Sequence, residues 1–186
     1  MRNTPVIIFV NKMDREGQDP FDILEELETE LQISTRPLSW PINMGSRFKG
    51  VFLLHNQSLN LFQADKTKKA SDYVAIESLQ DKALDEIVGE EDANQLREDV
   101  ELINGVFEPF DSELYEEGLL APVFFGSALN NFGVQEMLDT FVEIAPSPRP
   151  RPTDKRDINP TENKMTGFIF KIHANIDPRH RDRIAF

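Results

Sequence analysis

Val6-Ile7-Ile8-Phe9-Val10-Asn11-Lys12-Met13-Asp14-Arg15 is the stretch from which the fold can be read. Five consecutive apolar residues, rich in β-branched types, describe a short strand buried on both faces, as in a parallel sheet. The run breaks into a polar loop at Asn11 to Arg15. Asp19-Pro20 then supplies an N-cap and a first-turn proline. The helix they start carries Ile23, Leu24, Leu27 and Leu31 on one face, with Glu25, Glu26 and Glu28 near or beyond its edge. Strand, polar loop and helix make half of a βαβ unit.

Working outward, the same order returns far down the chain. Pro122-Val123-Phe124-Phe125 is a second apolar run, and Gly126-Ser127-Ala128 ends it. Val134, Met137, Leu138, Phe141, Val142 and Ala145 then recur at helical spacing. Both loops fall at the C-terminal ends of their strands, the edge where open α/β sheets bind ligands. The stretch between the two pairs, 36–118, is too long for a crossover and is expected to be an inserted α+β subdomain. Gly50–Leu54 and Leu59–Phe62 read as strands around a hairpin turn at His55-Asn56-Gln57-Ser58. Leu79, Ala83 and Ile87, and then Leu96, Val100 and Ile103, mark two helical faces.

After Ala145, prolines 146, 148, 150 and 152 alternate with other residues and favour an extended, stiff connector. Gly167 to Ile172 reads as a strand and Arg183 to Phe186 as the start of another. The expected organisation is therefore a parallel-sheet part from 1–35 and 119–146, the insert at 36–118, a proline-rich linker at 147–164, and first strands of a truncated domain at 165–186.

Of 186 residues, 39% are hydrophobic and 28% charged, the balance of a globular protein. No apolar run approaches the roughly 20 residues of a membrane-spanning helix. The absence of cysteine excludes disulfides, thiolate metal sites and cysteine nucleophiles, and a reducing cytoplasm is the expected location. A formal net charge of -13 argues against a surface that grips nucleic acid all over. The charge is segmental: residues 77–117 hold 15 Asp and Glu against Lys82 and Arg97 alone, whereas 146–186 hold nine Lys and Arg against five acids.

Asn11-Lys12-Met13-Asp14 has the form N-K-x-D and resembles the guanine-specificity motif of GTP-binding proteins. A carboxylate such as that of Asp14 offers two acceptors to the ring N1–H and exocyclic amino group of guanine, a pair that adenine lacks. Asn11 can donate to the acceptor edge of the base and hold a neighbouring loop, and the Lys12 stem can cover the base plane. Gly126-Ser127-Ala128-Leu129 resembles the later motif of the same proteins. That resemblance implies that the Ala128 N–H meets guanine O6 and that the Ser127 hydroxyl helps orient Asp14. The plain alternative makes Asp14 and Ser127 turn or cap residues.

The resemblance extends along the chain. NKMDRE, a long insert, VFFGSALNNFGVQEMLD, APSPRPR and MTGFIFKIHANIDPRHRDRIAF follow one another as in the large translational GTPases related to elongation factor G. WPINMGSRFKGVFLLHNQSLNLF and HANIDPRHRDRIAF favour the branch of GTP-dependent peptide chain release factors. What this implies is a partial P-loop GTPase-type α/β fold with an α+β insert, followed by the start of a β-barrel domain. It also implies GTP or GDP as ligand with Mg²⁺ in the intact protein, and the ribosome as partner. Such factors free decoding release factors after peptide release. The acidic insert 77–117, with Glu90, Glu91, Asp92, Glu98 and Asp99, would face the large-subunit stalk, the plain alternative being a solvated helical face, and Arg179, Arg181 and Arg183 would meet RNA or ribosomal protein.

The sequence departs from the family in lacking any G-x-x-x-x-G-K-[ST] phosphate loop, D-x-x-G switch or Thr switch loop. The chain thus reads as an internal piece with base recognition and without phosphate or Mg²⁺ sites, inactive alone. A non-catalytic ribosome-interaction module, or a piece of a related factor such as elongation factor G, are the alternatives. His55, His173 and His180 are scattered and suggest no metal site. Trp40 reads as a packing residue, and Lys66–Lys69 as a solvated loop.

Overall fold

A computed structural model describes residues 4–61, 73–75, 78–174, 179 and 183–186. Phe62, Lys66–Lys69, Glu77, His180 and Arg181 therefore lie outside the described residues. The chain divides into two compact units, Met1–Ala145 and Pro146–Phe186.

In the first unit, β1 (Ile8–Val10), β2 (Ser34–Pro37) and β7 (Leu120–Phe125) form a parallel sheet in the order β1-β7-β2. Phe9 stands beside Phe124, and Thr35 beside Ala121. All six residues of β7 are buried, as a central parallel strand requires. Pro122, with no N–H to give, sits where β7 has β2 alone as a neighbour. Helix α1 (Pro20–Leu31) begins as its sequence dictates, with the Asp19 carboxylate accepting from the Phe21 N–H at 2.8 Å. Leu24 is fully buried and Leu31 is exposed, so the expected face narrows at its C-terminal end.

β2 puts Arg36 and Pro37, assigned by sequence to the insert, into the parallel sheet. Its residues alternate in burial without being apolar, and polar contacts fix them. Glu28 of α1 accepts from the Thr35 N–H at 2.6 Å and from its hydroxyl at 3.0 Å.

β3 (Ser39–Ile42), β4 (Gly50–Leu53), β5 (Ser58–Leu61) and β6 (Tyr73–Ala75) form an antiparallel sheet in that order. The hairpin of β4 and β5 forms at the expected place, with Ser58 already in the strand. Helices α2 (Lys82–Val88), α3 (Glu90–Val106) and α4 (Ser112–Glu116) follow. Asp81 caps α2, which therefore starts after Leu79, and its buried residues are Leu84 and Val88 rather than Ala83 and Ile87. In α3, Leu96, Val100 and Ile103 are buried as their spacing predicts.

The two sheets do not keep separate cores. Leu24, Trp40, Phe52, Leu84, Leu96, Ile103, Val123 and Phe125 belong to one buried cluster. Trp40, fully buried on β3, has its ring 4.5 Å from that of Phe21 and 5.4 Å from that of Phe125. Ser39, also on β3, accepts the Phe125 N–H through its hydroxyl at 2.9 Å. Truncating a buried residue the size of Trp40 costs about 3–5 kcal/mol.

Helix α5 (Val134–Ile144) departs from the amphipathic reading. Its buried residues are Glu136 and Thr140, while Leu138, Phe141 and Val142 are exposed. Glu136 accepts a hydrogen bond from Asn60 of β5, so a polar contact seats this side of the helix. Met137, Leu138 and Phe141 line a groove of about 320 Å³ with Pro5, Ile7 and Tyr115.

The second unit holds two small antiparallel pairs. β8 (Arg151–Pro152) pairs with β9 (Asp157–Ile158), so part of the proline-rich stretch turns back on itself. The turn is closed by the Thr153 N–H donating to the Arg156 carbonyl at 3.1 Å. Arg156 also makes an ion pair with Glu162, and the Arg156 and Asn159 hydrogen bonds hold the Glu162 pKa down to about 2. β10 (Ile172–Ala174) pairs with β11 (Arg183–Ala185). The strand expected from Gly167 begins only at Ile172, because Arg183 to Phe186 gives it a partner no earlier than Phe170. Among the described residues no helix is long and apolar enough to cross a membrane.

Candidate functional site

β1 and β7 lie side by side and end together, so the loops that follow them converge. Three hydrogen bonds bind the loops. The Gly126 N–H donates to the Val10 carbonyl at 3.0 Å, the Met13 N–H to the Gly126 carbonyl at 3.0 Å, and the Ala128 N–H to Asn11 Oδ1 at 2.9 Å. Asn11 Oδ1 also accepts from the Lys12 N–H at 2.8 Å. One amide side chain thus joins both motifs through its oxygen and keeps its own NH₂ group as a donor at the same position.

Lys12 has φ 71°, a left-handed backbone that costs an L-residue about 1–2 kcal/mol. The turn stays closed because the Arg15 N–H donates back to the Lys12 carbonyl at 2.9 Å. This conformation splits the motif. Met13 turns into the core, whereas Asn11 and Lys12 are exposed and Asp14 is half-buried. Among the described residues the Asp14 carboxylate has no hydrogen-bond or ion-pair partner.

The second loop is tighter. A Cβ on Gly126 would lie 2.3 Å from the Phe132 carbonyl and 2.8 Å from the Phe9 ring, so only glycine fits the approach. Ser127 and Phe132 exchange two backbone hydrogen bonds at 3.0 Å, closing a loop whose crest carries Ala128 and exposed Leu129. The Ser127 hydroxyl is fully buried and accepts from Asn130 Nδ2 at 2.8 Å, rather than turning to Asp14. Sequence reasoning does not single out Asn130 or Phe132. Their signal is local, since Asn131 adopts φ 52° between them and asparagine is a common left-handed residue.

The structure therefore gathers Asn11, Lys12, Asp14, Ala128 and Leu129 on one edge and sends Met13 and Ser127 inward. Among the described residues no group of three His, Cys, Asp or Glu could hold a metal ion. His55 and His173 lie on separate elements, and Trp40 is wholly interior.

Residues 1–147 match the model of the elongation factor Tu GTP-binding domain. The chain belongs to this family. A crystal structure of a Thermus thermophilus protein is similar at 20% identity and TM-score 0.49 over 78% of this chain and 23% of its own. The chain thus spans about a quarter of that protein's length. Membership of a GTP-binding domain family implies GTP and Mg²⁺ as ligands of the intact protein.

Proposed function

We propose that this chain carries the guanine-reading half of a GTP site in a cytoplasmic translation termination factor of the bacterial peptide chain release factor 3 kind. The hydrogen bond from Ala128 to Asn11 carries the reading, because it draws both recognition motifs onto one edge beside an Asp14 carboxylate that has no partner among the described residues. Asp14 accepts from guanine N1–H and from the exocyclic amino group. Asn11 donates from its NH₂ to the acceptor edge of the base. The Ala128 N–H, spent on Asn11 here, is the donor for guanine O6, so base binding exchanges one hydrogen bond for another. The Lys12 stem covers the ring.

The release-factor assignment rests on the resemblance of 40–62 and 173–186. Ribosome binding follows from the same reading. The stalk is the partner for the acidic insert 77–117, and RNA or ribosomal protein for Arg179, Arg181 and Arg183. Of the five acids expected to steer the encounter, Asp92 and Asp99 are engaged internally, which leaves Glu90, Glu91 and Glu98 to face a basic partner.

The test is Asp14→Asn in a protein that contains this chain and binds GDP. Xanthine replaces the amino group of guanine by a carbonyl, so its partner must become a donor. GDP binding should weaken by about 1.5–3 kcal/mol, as for hydrogen bonds to charged groups, while xanthosine diphosphate gains. Unchanged GDP affinity by calorimetry would remove Asp14 as the base reader.

A further inference from the structure

Between β3 and β4 the insert makes one short turn, Gly45–Arg47, followed by Phe48. This turn touches both recognition loops. The Gly45 N–H donates to the Met13 carbonyl at 2.9 Å, and the Phe48 ring meets that of Phe132 edge-on at 5.5 Å. Met13 belongs to the first loop, and Phe132 closes the second through its paired bonds with Ser127. Gly45 is buried at φ 63°, and a Cβ there would strike the Glu16 carboxylate.

The other side of the turn is tied to the first helical turn of α3. Asn43 Nδ2 donates to Asp92 Oδ1 at 2.5 Å, and Lys49 makes an ion pair with the same carboxylate. Lys49 also donates to the Val88 carbonyl at the end of α2. Asp92 thus grips the turn from both of its flanks. Burial opposes its charge, yet the hydrogen bonds of Lys49 and Asn43 and the charges of Lys49 and Arg47 hold its pKa below the ordinary value.

We infer that residues 43–49 are a positioning clamp that fixes both base-recognition loops from behind and couples them to the acidic helix through Asp92. Gly45 and Phe48 act on the loops, and Asp92 acts through Asn43 and Lys49. Coupling of this kind is reciprocal: a partner that pulls on Asp92 must alter base binding, and a bound base must alter the affinity for that partner. The inference deepens the guanine-site reading and rests on it for its functional meaning.

Two arms keep the clamp and the guanine site separately testable. In the 186-residue chain without nucleotide, Asp92→Asn and Phe48→Leu should speed hydrogen exchange at the Met13, Ser127 and Phe132 amides about tenfold, with the Ala145 amide at the end of α5 unchanged. Asp92→Glu, which keeps the carboxylate, should restore most of the protection. Acceleration confined to 43–49, or spread evenly over both sheets, overturns the clamp. In a GDP-binding protein containing the chain, Asp92→Asn should weaken GDP by about five- to tenfold, within the usual range of site coupling, and narrow its preference over inosine diphosphate. Should the unaltered protein show no preference for GDP over inosine diphosphate, the guanine reading falls and the exchange arm still decides the clamp.

Discussion

The loop after β1 presents side chains to solvent on a strained backbone, whereas the loop after β7 presents backbone and buries its side chain. In the first, Asn11 and Lys12 are exposed and Asp14 half-buried, and left-handed Lys12 pays for their display. In the second, Gly126 brings the chain close, Ser127 is locked inside, and the crest offers the Ala128 amide. The contrast teaches where each loop should be vulnerable. The tight approach of Gly126 should make the second loop the more sensitive in stability, and its exposed crest should be tolerant.

The largest effect that this contrast foresees is Gly126→Ala. The added methyl meets a backbone carbonyl that cannot move without opening the loop, and overpacking of this kind costs about 1–3 kcal/mol. Urea denaturation of the 186-residue chain should show that loss, and a stability equal to wild type would mean that the second loop is looser than its contacts imply.

Asn11→Ala comes next, because it cuts the one side chain that serves both loops. Both N–H groups that it releases, those of Lys12 and Ala128, lie at the exposed edge and can turn to water, so the expected loss is about 1 kcal/mol. Asn11→Asp keeps the acceptor and should hold the loops together while removing the NH₂ donor. Equal stability of the alanine and aspartate variants would show that the tie contributes nothing.

Leu129→Ala is the smallest. The side chain is 77% exposed, so stability should stay within about 0.5 kcal/mol, as for ordinary surface changes. A loss well beyond that range in the same denaturation series would mean that the crest of the second loop packs against something the contrast omits.

The order of the two strand-loop-helix units was legible because its signal is local, although β1 is shorter than its apolar run and half-buried rather than buried on both faces. A β-branched apolar run that breaks into polar or small residues needs no knowledge of its neighbours, and both motifs sit on such breaks. β2 was not legible, since Ser34-Thr35-Arg36-Pro37 has no apolar pattern and owes its place to Glu28 of α1 and to β7. The Arg36 guanidinium, reaching the Phe107 carbonyl and Asn104 at 3.0 Å, is a long-range contact of the same sort. Periodicity located α5 but misread its buried face, where polar Glu136 and Thr140 lie, Glu136 against a distant strand. Around the candidate site, hydrogen-bond partners were not readable. Ser127 found Asn130, and Ala128 found Asn11, because loop closure and not motif membership sets who can reach whom.

The buried stack of Phe21, Trp40 and Phe125 bears on how this architecture could be recombined. A chimaera that exchanges residues 36–118 with the matching stretch of a relative brings a new residue to position 40 but keeps the old aromatic pair around it. Unless the incoming ring matches, the donor piece arrives with a hole or a clash at the centre of the host. Viable exchanges should therefore carry positions 21, 40 and 125 as a set, which makes this insert a poor cassette although it is continuous in sequence.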